Sequence, residues 1–447
     1  MTFAAHDGQH DNSCVNKWNY SIRFKQPELC GSGIQHSGYV DRHDTGDHYF
    51  FWFFESERRP LEDPTLLWLS GGPGCSSMAG ALTEVGPCRL TDDGTATMKN
   101  PYTWTKEANV LFLDQPIGTG YSYGKSKVST SESAAHHVYE FLQIFFKEFN
   151  QYANAPLYIG SESYGGHYVP ALASEILKYK RRQCSNHISL RFEGMLIGNP
   201  LTNPRLQVEY YQEYGCANDT TYHPLFDAAT CQMMKARFSQ CRYLMDICYK
   251  YTFAPMCIPA GLHCKHTQFD PVEQIGSNPY DIRMRCNSTD LYDCYQWLNY
   301  LELWANTELV RDDLGIDPQF ERFRSCNTAV EERFMLSADM LYDFSSHVAE
   351  CLKEDVRVLI YAGDTDFVCN WRGIKAWTLE MDWPGKRGYN EASDEDWYSS
   401  GKLVGQLRSH GNLAFLKVYE AGHFVPFDRP DVALDYFSRW LNRLLHF

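Results

Sequence analysis

The chain has 447 residues, 44% hydrophobic and 22% charged, with a formal net charge of −15. This is ordinary globular composition, with enough apolar material for a large buried sheet. The acidic balance offers no basic face to neutralise phosphates, which argues against a nucleic-acid binder, and no apolar run reaches the length that spans a bilayer.

The opening residues, from Met1 to Asp7, lack the basic and apolar regions of a signal peptide, so the expectation is that a leader has been removed. A polar stretch then gives way to an intensely apolar run at 48–54, which reads as a buried strand. Shorter runs at 66–69, 110–113, 157–159, 358–361 and 415–419 follow the same logic. Amphipathic helices lie between them. One carries Val138, Phe141, Leu142, Phe145, Phe146 and Phe149 at spacings of three and four. Another closes the chain with Val432, Tyr436, Phe437, Trp440, Leu441 and Leu444 on one face. Alternating strands and helices predict an α/β fold with a mostly parallel central sheet flanked by helices.

Residues 203–325 differ from the rest, being cysteine-dense, polar and without apolar strand runs. They read as a disulfide-rich cap insertion packed over the sheet edge, with 1–202 and 326–447 forming the core. Ten of the sixteen cysteines fall within 184–326, and none forms the C-x-x-C pair common in zinc sites. Disulfides are therefore expected. Sequons at Asn19, Asn218 and Asn287 predict N-glycans and, with the cysteines, a secreted or vacuolar/lysosomal protein.

The one literal G-x-S-x-G, Gly120-Tyr121-Ser122-Tyr123-Gly124, is a poor nucleophile elbow. An elbow needs a strand ending directly before the serine and a helix beginning directly after it. Ser122 lies well beyond the strand ending near Leu113, and no helix pattern follows. Gly160-Ser161-Glu162-Ser163-Tyr164-Gly165 satisfies both conditions, with Ser161 as a small substitute for glycine. A helix pattern follows at once in Tyr168, Val169, Ala171, Leu172, Ile176 and Leu177. The acid and base are expected past the carboxyl ends of later strands, at Asp366 in Gly363-Asp364-Thr365-Asp366 and at His423 after Ala421-Gly422. The order Ser163, Asp366, His423 is that of the α/β-hydrolase fold. Asp364 reads as a turn cap.

These residues resemble the serine carboxypeptidase family. The similarity rests on Trp68-Leu69-Ser70-Gly71-Gly72-Pro73-Gly74-Cys75-Ser76-Ser77, Leu113-Asp114-Gln115-Pro116 and Glu162-Ser163-Tyr164-Gly165-Gly166-His167-Tyr168. It rests equally on Gly363-Asp364-Thr365-Asp366-Phe367-Val368-Cys369-Asn370 and Gly422-His423-Phe424-Val425-Pro426. It runs from about Gly38 to the C-terminus, and among members the chain looks most like the fungal vacuolar carboxypeptidase Y type. The resemblance implies a Ser163, Asp366, His423 triad and an oxyanion hole from the N–H groups of Gly72 and Tyr164. It also implies that Glu84 and Glu162, with Ser70 and Gly71, bind the terminal carboxylate of a peptide. Three carboxyl groups crowded together cannot all be ionised, so a shared proton and an acidic optimum are expected. The bridges implied are Cys75–Cys326, Cys216–Cys231, Cys241–Cys264, Cys248–Cys257 and Cys286–Cys294, with Cys369 free. Cys14–Cys30 is expected in addition, with Cys88, Cys184 and Cys351 unassigned.

The chain departs from the family on the leaving-group side. Ser70 stands where the peptidases usually have Asn, Ala79 and Thr83 are smaller than their counterparts, and Phe424 replaces Met. Serine donates one hydrogen where an amide donates two. The similar serine carboxypeptidase-like acyltransferases, which pass the acyl group to an alcohol or amine, are therefore the alternative reading. The substrate is expected to be a peptide or an acylated small molecule, with no metal or organic cofactor.

Overall fold

Uninterrupted runs of Leu, Val, Phe and Trp are stable in strands only where both faces are covered. In this chain they form the middle of an 11-stranded sheet. The computed structural model describes residues 18–31, 33–218, 222, 224–286 and 294–444. The strands are β1 (Tyr20–Lys25), β2 (Gln35–Arg42), β3 (Asp47–Phe54), β4 (Thr65–Leu69), β5 (Cys88–Leu90), β6 (Thr97–Lys99) and β7 (Asn109–Leu113). Then come β8 (Leu157–Glu162), β9 (Phe192–Gly198), β10 (Arg357–Gly363), β11 (Glu395–Ser399), β12 (Lys402–His410) and β13 (Leu413–Val418). The order across the sheet is β1-β2-β3-β7-β4-β8-β9-β10-β13-β12-β11, and β5 pairs with β6 apart from it.

The strands from β7 to β13 in that order run parallel, and antiparallel strands extend both sides. Their carboxyl ends therefore share one rim, where sites gather in such sheets. Helix Ser131–Glu148 covers one face, with the Phe145 ring 5.5 Å from both Phe51 and Phe53. Helix Gly165–Arg182 lies on the same face. Helix Pro430–Leu441 covers the other face and stacks Phe437 on Trp104 at 4.0 Å. Burying each such side chain contributes roughly 1.5–3 kcal/mol, so the aromatic faces hold the layers in place. Leu444, expected on the last helix's apolar face, lies beyond its end and is exposed.

The insertion enters after β9 and leaves before β10, two central strands, and among its described residues it adds no strand to the sheet. Its longest helices, Ala228–Tyr251 and Ala254–Cys264, are joined by Cys241–Cys264 and Cys248–Cys257. One part reaches the far end of the sheet, where Leu314 O accepts from Ser37 Oγ. Another does not lie over the edge at all: Tyr280 O accepts from His423 N at 2.8 Å, beside the rim. Insertion between central strands delivers it there.

Cys75–Cys326, Cys216–Cys231 and Cys286–Cys294 are also bridged. The expected Cys14–Cys30 pair is not formed. Cys30 bonds Cys88, because β5 lies against the β1–β2 connection with the two Cα atoms 5.2 Å apart. Cys14 is outside the described residues. Cys184 is disulfide-bonded, whereas Cys351 and Cys369 are buried free thiols.

Candidate active site

β8 ends at Glu162 and the next helix begins at Gly165, so Ser163 occupies the turn between them. Its φ of 59° is left-handed, which costs a side-chain-bearing residue roughly 1–3 kcal/mol and persists only where neighbours enforce it. The enforcement is visible. Ser163 N donates to Gly198 O at 2.9 Å, and Ser163 O accepts from Gly166 N and Leu201 N at 3.0 and 2.9 Å. Ser161, in the place of glycine, turns its hydroxyl away to donate to Leu69 O. Ser163 remains partly exposed. Ser122, in the literal G-x-S-x-G, is buried, donating to Asp114 O and accepting from Phe50 N, both at 2.7 Å.

Asp366 and His423 follow β10 and β13, which are neighbours in the sheet. Their loops touch closely: a Cβ on Gly363 would lie 2.1 Å from Gly422 O. His423 Nδ1 donates to Asp366 Oδ2 at 2.8 Å, and both side chains are fully buried. The same oxygen accepts from Asn199 Nδ2 at 2.7 Å and Cys369 N at 3.3 Å. His423 Nε2 is buried and has no hydrogen-bond partner among the described residues, the Ser163 hydroxyl included. In unliganded enzymes that bond is often long and tightens only with substrate. Asp364 does not reach the imidazole; its carboxyl is pushed up to about 6 by burial.

Gly72, entering a cis bond to Pro73, lies in the loop after β4. Neither Gly72 N nor Tyr164 N donates to an acceptor among the described residues. A Cβ on Gly71 would sit 2.7 Å from Tyr164 N and 2.9 Å from Ser163 Cβ, so loop and elbow are in contact. The loop is braced by Asp114, whose Oδ1 accepts from Ser76 Oγ at 2.6 Å and Ser77 N at 2.9 Å.

Three polar groups beside the elbow lack partners. Ser70 Oγ, Glu162 Oε2 and both carboxyl oxygens of Glu84 are buried without a hydrogen bond. Burial raises both carboxyls, to about 7 at Glu84 and well above the ordinary carboxylate range at Glu162, where the facing Glu84 charge adds to it. Such a pair holds a proton under conditions where ordinary carboxylates have lost theirs. Asp366, Cys369 and His423 also bring one ligand-type atom each within 4.8 Å. Burial keeps that thiol protonated, however, and the other two are engaged with each other, so the trio suits proton transfer better than metal binding.

Asn199 is the residue that sequence reasoning missed. It ends β9 with φ of 42°, donates to Asp366, and accepts from Gly363 N at 3.2 Å. Gly198-Asn199-Pro200 after an apolar run marks a strand end, but nothing in it names the partner.

The sequence model of the serine carboxypeptidase family matches residues 27–443. The carboxypeptidase Y homolog A of Leptosphaeria maculans is 40% identical over 95% of this chain and 77% of its own length. The homolog A of Arthroderma gypseum is 39% identical over 96% and 78%. Among solved structures, the prohormone-processing carboxypeptidase Kex1(delta)p of Saccharomyces cerevisiae has a TM-score of 0.80 at 23% identity, covering 95% and 96%. That last likeness speaks to the fold. The family match across nearly the whole chain speaks to descent, and the chain belongs to the serine carboxypeptidase family.

Proposed function

We propose that this carboxypeptidase releases C-terminal residues through an acyl-enzyme on Ser163. Ser163 Oγ attacks the last peptide carbonyl while His423 Nε2 takes its proton, and Asp366 holds the imidazole through Nδ1. The carbonyl oxygen becomes an oxyanion facing the N–H groups of Gly72 and Tyr164. The carbon–nitrogen bond then breaks as the imidazolium returns the proton to the leaving amine. Water, deprotonated by His423, releases the peptide from Ser163.

The observation that carries an exopeptidase reading is the buried Glu84 and Glu162 pair, whose carboxyl groups face each other next to the elbow. A shared proton lets it bind a carboxylate, and only the chain end of a peptide offers one there. Ser70 Oγ, buried and unpaired, supplies a further donor, with Gly71 alongside. An apolar cleft of about 340 Å³, lined by Leu201, Val208, Tyr211, Ile258, Phe269 and Leu341, adjoins the elbow through Leu201, whose N–H donates to Ser163 O, and would favour apolar side chains in the substrate.

We read 203–325 as a cap on a core of 1–202 and 326–447. A secretory or vacuolar route fits the disulfides, and exposed Asn19 and Asn218 suit N-glycans. Asn287 is outside the described residues. No helix among the described residues is long and apolar enough to cross a membrane.

The test is product analysis by mass spectrometry, first with blocked dipeptides, then with an acyl ester plus an alcohol or amine. Release of the C-terminal amino acid is expected, and Ser163→Ala should abolish both turnover and fluorophosphonate labelling. Acyl transfer with no hydrolysis would favour the acyltransferase alternative.

A further inference from the structure

The steps above leave one fully buried carboxylate beside the elbow without a role. Asp339 begins the short turn Asp339–Leu341 and has no exposed surface. Asp339 Oδ1 accepts from Ser131 N at 2.9 Å, and Oδ2 accepts from Ser131 Oγ and from the Tyr164 hydroxyl, each at 2.6 Å. A carboxylate removed from water persists only where its partners donate in good geometry, and all three do. The turn is entered through Ala338, also buried, at a left-handed φ of 62°. Such strain in a buried non-glycine residue marks a conformation that its surroundings enforce.

Tyr164 is the residue whose N–H faces the developing oxyanion. Its ring has little freedom: it stacks on His167 at 4.7 Å and meets Phe334 edge-on at 5.8 Å. The hydroxyl at the far end is pinned by Asp339, so the whole residue acts as a short rigid lever on its own backbone. The other donor is braced by the same stretch of chain. Cys326 bonds Cys75, Ser325 O accepts from Ser76 N at 2.7 Å, and Asn327 N donates to Gly74 O at 2.9 Å. Residues 325–339 therefore touch the loop of Gly72 at one end and Tyr164 at the other.

We propose that Asp339 is a positioning residue for the oxyanion hole: by holding the Tyr164 hydroxyl it aims the Tyr164 N–H and, through 325–339, sets its spacing from that of Gly72. This rests on the oxyanion assignment proposed above. Asp339 never touches substrate, so its loss should weaken stabilisation of the transition state and leave ground-state binding nearly intact.

The test compares Tyr164→Phe and Asp339→Asn with the parent, using blocked-dipeptide kinetics, inhibition by a peptide aldehyde, and thermal unfolding. The aldehyde adds to Ser163 and presents an oxyanion to the same donors. We expect kcat to fall roughly tenfold or more, aldehyde inhibition to weaken in parallel, and KM to change less than about twofold. Thr130→Ala removes the side chain that caps helix Ser131–Glu148 by accepting from Ser133 N at 3.2 Å, a bond that involves neither Asp339 nor Tyr164, and should lower Tm with kcat within about twofold of the parent. If Tyr164→Phe keeps the parent's kcat well below its Tm, the proposal is overturned. An equal kcat loss in Thr130→Ala would overturn it too, since general loosening would then suffice. Should Asp339→Asn not fold, Tyr164→Phe decides alone. A Ser163→Ala enzyme that still turns over would instead sink the underlying reading, which keeps the two failures apart.

Discussion

Asn199 Nδ2 lies 2.7 Å from Asp366 Oδ2, the same oxygen that accepts from His423 Nδ1 at 2.8 Å. The residue before Asn199 accepts the N–H of Ser163, so the end of β9 ties the elbow to the acid loop. Asn199→Ala leaves that buried carboxylate one donor short, a cost of about 1–3 kcal/mol. We expect kcat to fall by about tenfold with KM little changed, since a 1.4 kcal/mol loss in the transition state is a factor of ten. Steady-state kinetics on a blocked dipeptide would check this, with circular dichroism to verify folding.

The Glu84 and Glu162 pair dictates a pH dependence whose sign can be worked out. Binding a peptide carboxylate requires the pair's proton, so KM for such peptides should rise as pH climbs through neutrality, towards and past the value of about 7 at Glu84. The same peptides ending in an amide should not follow. If KM for both ends responds alike between pH 5 and pH 8, the pair is not the carboxylate site.

Stability should carry the same signature. Both carboxyls titrate higher in the folded chain than the roughly 4.3 of an unfolded Glu. The stability of the neutral pair is therefore fully present below about pH 4 and is lost as pH rises through the folded-state values. Glu162→Gln removes that loss, so its Tm should exceed the parent's at pH 8 and not at pH 4. An identical Tm difference at both values would count against it.

Gly71 has no room for a side chain. A Cβ there would lie 2.7 Å from both Glu162 O and Tyr164 N, closer than real Cβ atoms approach. Gly71→Ala should push the loop of Gly72 off the elbow and lower kcat by about a hundredfold, the scale of a 1 Å misplacement. Single-turnover acylation rates would measure this directly, and an unimpaired rate would show that the two donors need not stay in register.

Ser122→Ala separates motif from function. Losing the hydroxyl leaves the buried Phe50 N–H without its acceptor, which costs about 1–3 kcal/mol. A lower Tm with full fluorophosphonate labelling at Ser163 is the expected result. Loss of labelling in the folded variant would revive Ser122 as the candidate.

Much of this was legible in the residues. Runs such as 110–113 and 358–361 announce buried strands because they are short, rich in strand-favouring Val, Ile, Phe and Tyr, and apolar on both faces. β9 and the outer strands β1, β2, β11 and β12 escaped notice. The burial of β1, β11 and β12 is partial, so their sequences are mixed, and glycines interrupt β9 and β2. The strand, turn and helix around Ser163 could be read, and told apart from the segment around Ser122, because they are adjacent in the chain, and adjacency is local information. Cys30 was assigned to the wrong partner for the opposite reason: Cys88 is 58 residues away. Spacing along the chain carries no record of which loop folds back on which.

The sequence by itself determined the sheet's central strands other than β9, the strand, turn and helix around Ser163, and the acidic, cysteine-rich character of the whole. Each of these depends on neighbours along the chain or on composition. Tertiary structure alone decided that Asn199 shares an oxygen with His423 and that Asp339 grips Tyr164, and it buried Glu84 with Glu162, a pair that only the family resemblance had implied. Those are meetings between residues 57 to 224 positions apart, so periodicity does not foretell them. They exist because packing the two faces of one sheet leaves each loop a single place to lie.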